Sequence, residues 1–259
     1  MDKLNLAGRR GLVTGGLGPL GLALANHLAE CGADVLAVDL PEQIDRVIVE
    51  ELHPRVKSTP CDLLDGEQLN ELVSSVEKDA DGLSFLVHNA AFTGGSGLEG
   101  YACSFEEQTD DAFDAALTLN LAVPFRLTRR LTPSLRRSNH GSIVNIASIY
   151  GLVGPDLSLY SGTSMGNPAG YAASKGGLIQ LTRYLATVLA PEIRVNCVNP
   201  GGIYRGQEQI FVDRYETRTP LRRMATEADF VGAVEWLVAD SAGYVTGQAI
   251  SIDGGWTAW

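Results

Sequence analysis

Positive charge is in short supply in this chain. Four of its 259 residues are lysine, and acidic side chains outnumber basic ones 31 to 20. The formal net charge is −11 and the isoelectric point lies near 4.8. A surface of that sign repels nucleic acid and anionic membranes, so neither is expected as a partner. An anionic small molecule stays open, because local arginines can dominate one pocket. Long apolar runs are also missing, and with them any expected membrane-spanning helix. The short polar stretch from Met1 to Arg10 leads directly into a strand-like run, with no sign of a signal peptide. Cysteine is sparse: Cys31, Cys61, Cys103 and Cys197 form no Cys-x-x-Cys pair and no metal-ligand cluster. No metal site is therefore expected. Buried or incidental thiols suit a reducing cytoplasm, the expected location.

What is present is a regular alternation. Gly11-Leu-Val-Thr14 reads as a short buried strand, followed by a glycine-rich turn and a helix from Leu20 to Cys31 that Gly32 ends. Asp34–Asp39, Val56–Asp62, Leu83–His88, Ser142–Ala147, Ile193–Val198 and Ala249–Ile252 read as further strands. Helical patterns at 67–78, about 105–137, 168–190 and 226–239 fill the gaps. Strand alternating with helix predicts an α/β fold: a Rossmann-like, doubly wound parallel sheet of about seven strands. No repeat or linker interrupts it, so residues 1–259 form one expected domain, large enough for a sizeable core. The segment 151–168 is too long for an ordinary connection, which points to a functional loop.

Two constellations carry chemistry. The first is Thr14-Gly-Gly-Leu-Gly-Pro-Leu-Gly21, joining the first strand to the first helix. Glycines there let the backbone approach a pyrophosphate, and a helix N-terminus favours its negative charge. Asp39, at the end of the second strand, can accept hydrogen bonds from adenosine ribose hydroxyls and repel a 2′-phosphate. With no basic residue in the turn or directly after Asp39, NAD is expected over NADP. The second constellation is Tyr171 and Lys175 in Tyr-Ala-Ala-Ser-Lys, with Ser148 upstream. On a helix the pair shares one face, one turn apart. A tyrosine that works as a base near neutral pH needs its pKa lowered by roughly three units, about 4 kcal/mol. One ammonium at about 4 Å supplies a similar amount at an effective dielectric of 20. Ser148 is suited to hold the substrate oxygen.

Together these residues resemble the short-chain dehydrogenase/reductase family, over nearly the whole chain. The turn containing Gly15, Gly18, Leu20 and Gly21 matches the family's cofactor turn. Cys61-Asp62-Leu63 lies where the family contacts adenine. His88-Asn89-Ala90-Ala91 resembles the element after its fourth strand. Asn120 sits where the family has a helix asparagine, and Pro200, Gly201 and Ile203 follow the sixth strand as in the family. The resemblance implies that Tyr171 moves a proton to or from the substrate oxygen. It also implies that Lys175 lowers the tyrosine pKa and binds the nicotinamide ribose. Ser148 would orient the substrate, and Asn120 would hold a water that relays protons from Lys175. A homotetramer, or a dimer, built through the helices near 105–137 and 168–190 is implied as well.

The chain departs from the family pattern in places. Pro19 replaces a glycine of the turn; it suits the first helical position but cannot donate to a phosphate. Ser148 and Tyr171 are 23 residues apart, an unusually wide separation, and the loop between them is expected to overhang the substrate. Its Tyr160, Thr163 and Asn167 suit a polyhydroxylated ligand. Arg205 stands where a threonine is usual; it either binds a carboxylate or phosphate bidentately or faces solvent. It opens a segment, 203–225, that resembles the family's substrate lid. One or two of Arg214, Arg218, Arg222 and Arg223 reaching inward would suit an anionic substrate. Tyr-Ser-Gly-Thr-Ser-Met at 160–165, with the motifs after it, is similar to family members of surface-sugar and flagellin-glycosylation pathways. The expectation is thus an NAD-dependent oxidoreductase of carbohydrate metabolism, acting on a sugar, sugar acid or sugar phosphate. An NAD(H)-sensing protein on the same fold, and a lyase or epimerase that uses NAD catalytically, are the alternatives.

Overall fold

The computed structural model describes residues 4–46 and 51–259; Met1–Lys3, the start of the polar N-terminal stretch, lie outside them. Seven parallel strands form one sheet in the order β3-β2-β1-β4-β5-β6-β7. They are β1 (Arg10–Thr14), β2 (Asp34–Asp39), β3 (Val56–Pro60), β4 (Phe85–His88), β5 (Ser142–Ile146), β6 (Arg194–Pro200) and β7 (Ala249–Ile252). The helices are α1 (Pro19–Glu30), α2 (Pro41–Ile44), α3 (Gly66–Glu77), α4 (Asp110–Leu117), α5 (Val123–Arg137), α6 (Ala169–Leu189), α7 (Gln209–Arg218) and α8 (Ala228–Val238).

Alternation along the strands sorts side chains onto two faces. Val13, Phe85, Val87 and Val144 join α1 and α8 in one core, with Leu24, Leu28, Phe230 and Val234. Leu12, Leu86, Ile143 and Val195 join α3, α5 and α6 in the other, with Leu72, Leu131 and Leu185. Apolar helices cover both faces, as a parallel sheet requires. β1 pairs with both β2 and β4, so the chain order reverses across β1. A crevice opens at the carboxyl ends of the strands at such a switch point.

The helix expected over 105–137 is broken. A short 3₁₀ turn at Phe105–Glu107 precedes α4, and a widened π turn at Thr118–Ala122 separates α4 from α5. The reason is in the sequence: Pro124 has no N–H to return to the carbonyl of Asn120, four residues back, so the α-ladder cannot run through. α7, inside the segment read as a lid, was not anticipated. It buries Phe211, Val212 and Tyr215. The long segment 151–168 is ordered around a 3₁₀ turn, Leu157–Leu159.

Gly11 marks the tightest strand contact. A Cβ there would lie 1.8 Å from the Phe85 ring, which is fully buried across the β1–β4 pair. Gly11→Val should therefore destabilise the fold by about 1–3 kcal/mol in urea melts. Gly66→Ala, in α3 where a Cβ meets nothing within 4 Å, should be neutral or stabilising by about 0.5 kcal/mol.

Candidate active site

The crevice is closed by hydrogen bonds between three strand ends. Thr14 Oγ1 accepts from the N–H groups of Asn89 at 3.0 Å and Ala90 at 3.2 Å. Asn89 Nδ2 donates back to the carbonyls of Thr14 (3.1 Å) and Gly15 (2.9 Å). Asp39 ends β2, and its two carboxylate oxygens accept from Leu17 N and Leu40 N, both at 2.9 Å. The predicted turn, Asn89-Ala90-Ala91 and Asp39 are thus brought together.

The turn's glycines have distinct roles. Gly15 has φ +59°, a left-handed conformation that favours glycine. A Cβ on Gly21 would sit 1.9 Å from the Gly15 carbonyl. At Gly18 a Cβ would touch only that carbonyl, at 3.5 Å, so space lies open over the start of α1. Pro19 occupies the first position of α1, and no side chain caps that helix end. An open, uncapped helix N-terminus beside a fixed carboxylate fits the chemistry of a dinucleotide's phosphates and ribose. Farther along the same edge, Cys61 N donates to the Asp39 carbonyl at 2.8 Å. Asp62 Oδ1 closes a turn on Leu64 N at 2.9 Å, beside buried Leu63. On the opposite side, Gly201 N bonds the Ile252 carbonyl, and Ile203 bridges to Ala225.

Ser148 follows β5, and its Oγ accepts from Tyr150 N at 3.1 Å. Tyr171 and Lys175 stand on successive turns of α6, the ammonium 5.6 Å from the centre of the phenol ring. Lys175 is 3 % exposed, and Nζ donates to the Ile146 carbonyl at 2.7 Å. Burial pulls its pKa down to about 7. Burial also pushes the Tyr171 pKa up, opposed by a hydrogen bond with Ser148 and by the Arg205 charge. Desolvation dominates both groups, and the ammonium is turned to a main-chain carbonyl.

Asn120 is fully buried. Its Oδ1 accepts from Phe92 N at 2.8 Å, and its Nδ2 donates to the Phe92 carbonyl at 3.0 Å and to Ser174 Oγ at 3.1 Å. It ties the segment after β4 to the helix that carries Tyr171 and Lys175. Phe92 carries no motif, and Ser174 lies inside Tyr-Ala-Ala-Ser-Lys without a role the sequence assigns it, so only the fold reveals these partners.

In the stretch between Ser148 and Tyr171, Tyr160 meets Tyr150, their hydroxyls 2.9 Å apart. Asn167 Oδ1 is buried with no hydrogen-bond partner. The Thr163 hydroxyl is engaged inside the loop, with the Tyr160 carbonyl at 2.8 Å and Met165 N at 3.2 Å. Arg205 lies 3.3 Å from Glu227 through Nε. The other four arginines of this segment each hold partners of their own. Arg214 holds the carbonyls of Leu159 and Ser161, and Arg218 stacks on Trp256 and lies 3.5 Å from Asp156. Arg222 donates to the Thr217 carbonyl, and Arg223 grips Asp229 at 2.6 and 2.7 Å.

Residues 18–257 match the sequence profile of the enoyl-(acyl carrier protein) reductase family. Nodulation protein G of Rhizobium sp. (strain N33) is 36 % identical over 257 residues, covering 96 % of this chain and 97 % of that protein. The 2-dehydro-3-deoxy-D-gluconate 5-dehydrogenase of Pseudoalteromonas atlantica is 31 % identical, covering 99 % and 98 %. A short-chain dehydrogenase from Leptospira borgpetersenii, solved with bound NAD+, superposes with a TM-score of 0.87 at 31 % identity, covering 99 % and 96 %.

The depressed Lys175 pKa has a consequence for stability. Between about pH 7 and 10.5 the unfolded chain binds this proton more tightly than the folded one. The penalty is therefore complete below pH 7 and fades as the pH rises toward 10.5. Lys175→Met, apolar and similar in length, should gain on the order of 4 kcal/mol relative to wild type at pH 6.5 compared with pH 10.5. Urea melts at the two pH values check this; a difference that does not change with pH would remove burial of the charge as its cause.

Proposed function

Because the chain belongs to the short-chain dehydrogenase/reductase family and is an NAD(P)-dependent oxidoreductase, we propose that it interconverts a secondary alcohol and a ketone on a sugar, sugar acid or sugar phosphate, with NAD as coenzyme. The observation that carries this reading is Tyr171 one turn from a buried Lys175 on α6, beside the end of β5 that carries Ser148, at the sheet edge that holds the glycine turn.

When bound, the nicotinamide supplies a hydride acceptor or donor. Everything else falls to the chain. Ser148 orients the substrate oxygen, and Tyr171 takes the alcohol proton or returns it to the ketone oxygen. Lys175 stabilises the phenolate once its ammonium is drawn from the Ile146 carbonyl. Asn120 keeps its relay role through its main-chain carbonyl, which Pro124 leaves without an α-helical donor; its side chain is already engaged by Phe92 and Ser174. Gly15, Gly18, Leu20 and Gly21 cradle the pyrophosphate. Asp62, Leu63, Asn89, Ala90, Ala91, Pro200, Gly201 and Ile203 flank the rest of the dinucleotide.

Asp39 supports NAD over NADP. Two N–H donors fix its carboxylate beside the turn, so it cannot swing away from a 2′-phosphate, yet it retains lone pairs for ribose hydroxyls. Tyr160, Asn167 and Arg205 support a hydroxylated, anionic substrate, and the name of the Pseudoalteromonas relative is that of a sugar-acid dehydrogenase. The loop 151–168 and the segment 203–225 form the substrate cover. Assembly as a homotetramer through α5 and α6, which expose Phe125, Tyr184 and Val188, and a cytoplasmic location complete the reading.

Two measurements test it. Tyr171→Phe should lower turnover by about 10²-fold or more while leaving NADH binding nearly unchanged; substantial residual turnover would sink the proton role. A screen of sugars, sugar acids, sugar phosphates and 3-oxoacyl thioesters, with NAD and with NADP, should give reduced-nicotinamide signals for a sugar-class compound with NAD. Turnover confined to thioesters overturns the substrate class, and a preference for NADP overturns the role given to Asp39.

A further inference from the structure

Away from the glycine turn, three metal-type donors from two helices converge on one point. His27 lies in the last turn of α1, Cys31 is the residue that ends it, and Glu235 belongs to α8. The four-residue spacing sets His27 and Cys31 on one helix face. Packing of α1 against α8, through Leu24, Leu28, Phe230 and Val234, brings Glu235 to that face. His27 Nε2 is 2.8 Å from Glu235 Oε2 and 3.9 Å from Cys31 Sγ. All three donor atoms lie within 4.8 Å of one another.

A tetrahedral zinc ion with ordinary bond lengths holds nitrogen and oxygen ligands about 3.3 Å apart, and nitrogen and sulfur about 3.6 Å. Side-chain shifts of about half an ångström take both observed His27 separations to those values. The set of one nitrogen, one sulfur and one oxygen suits zinc and disfavours magnesium or calcium, which take oxygen ligands. The other ring nitrogen, Nδ1, faces Glu30 Oε2 at 3.9 Å, on the side where a metal-bound histidine presents its N–H to a carboxylate. Side-chain exposures of 28 % for His27 and 16 % for Glu235 leave room for a fourth ligand from solvent.

We infer that His27 Nε2, Cys31 Sγ and Glu235 Oε2 form a binding site for one zinc-type divalent cation, with water as fourth ligand. Binding takes the imidazole neutral and releases the thiol proton of Cys31 to solvent; nothing is oxidised or reduced. His27 is eight residues beyond Pro19, about 12 Å along the helix, so the ion would clip the far end of α1 to α8 rather than touch the reacting atoms. The cysteine pattern could not reveal it, because Glu235 is 208 residues from His27.

The test uses the full chain, stripped by chelator and titrated with zinc chloride by calorimetry, with cobalt(II) as a spectroscopic probe. One ion per chain is expected, with a thiolate-to-cobalt charge-transfer band and a melting temperature that rises with zinc. Cys31→Ser, His27→Gln and Glu235→Gln should each weaken binding at least about tenfold, and Cys103→Ser should leave it unchanged. Absence of saturable zinc binding, or binding that survives all three substitutions, overturns the site. Should a substitution unfold the metal-free chain, the cobalt spectrum of the Cys103→Ser protein decides: a thiolate band supports the site and its absence overturns it.

Discussion

Pairing of β1 with β2 on one side and β4 on the other is the constraint on which the site depends. It forces the connections on the two sides of β1 to diverge, and the crevice they leave is where the glycine turn, Asp39 and Asn89 meet. Hydrogen bonds then make this geometry rigid. Thr14 fastens the turn to the end of β4, and Asp39 fastens it to the end of β2. Polar groups that would otherwise be free to reorganise are held before any ligand arrives. Pre-organisation of this kind lowers the ordering cost of binding. Asp39 therefore has two roles from one carboxylate, since the oxygens that brace the turn also present charge to whatever lies over it.

Burial sets the electrostatics on the other side of the crevice. A lysine drawn down to about 7 and a tyrosine pushed up are two groups driven toward neutrality by the same cause. Under the proposed reading, the resting site thus resists ionising its base, and a bound substrate oxygen and ribose hydroxyls would supply the polar partners that replace the lost water. Under the proposed reading, the base is activated by loading the site rather than by the lysine alone.

Much of this was legible in the sequence because it rests on local signals. Two of the seven predicted strands, Asp34–Asp39 and Ala249–Ile252, coincide with β2 and β7, and the other five differ by one or two residues at one or both ends. The glycine turn and the tyrosine–lysine spacing are contiguous patterns whose geometry follows from strand and helix periods. What failed was non-local or depended on competition. The π turn at Asn120 results from Pro124 meeting a helix that would otherwise continue. The engagement of Thr163 within its own loop, and of Asn120 by Phe92, arises because side chains bond the nearest unsatisfied backbone group. Phe92 is 28 residues from Asn120 and comes close only after folding, whereas Thr163 bonds Tyr160 and Met165, three and two residues away, in a local turn pattern.

The arginines show most clearly how folding redistributes a sequence-level inference. Arg214 and Arg218 reach from α7 to the 151–168 loop, and Glu208 accepts from Ser164 N at 2.9 Å and Ser164 Oγ at 3.0 Å. The unusual loop and the unanticipated helix are therefore fastened to each other, and their charges serve that union. Opening the loop alone would break these contacts to α7. The union also changes what an acidic protein must do to hold an anion. With Arg214, Arg218, Arg222 and Arg223 engaged, Arg205 is the one of these five whose charge acts on Tyr171. Its Nε is tied to Glu227, which orients the guanidinium and offsets part of its charge. One braced guanidinium favours a singly charged group, such as a carboxylate, over a phosphate that calls for several donors. Under the proposed reading, a sugar acid is the member of the sugar class that this distribution of arginines suits.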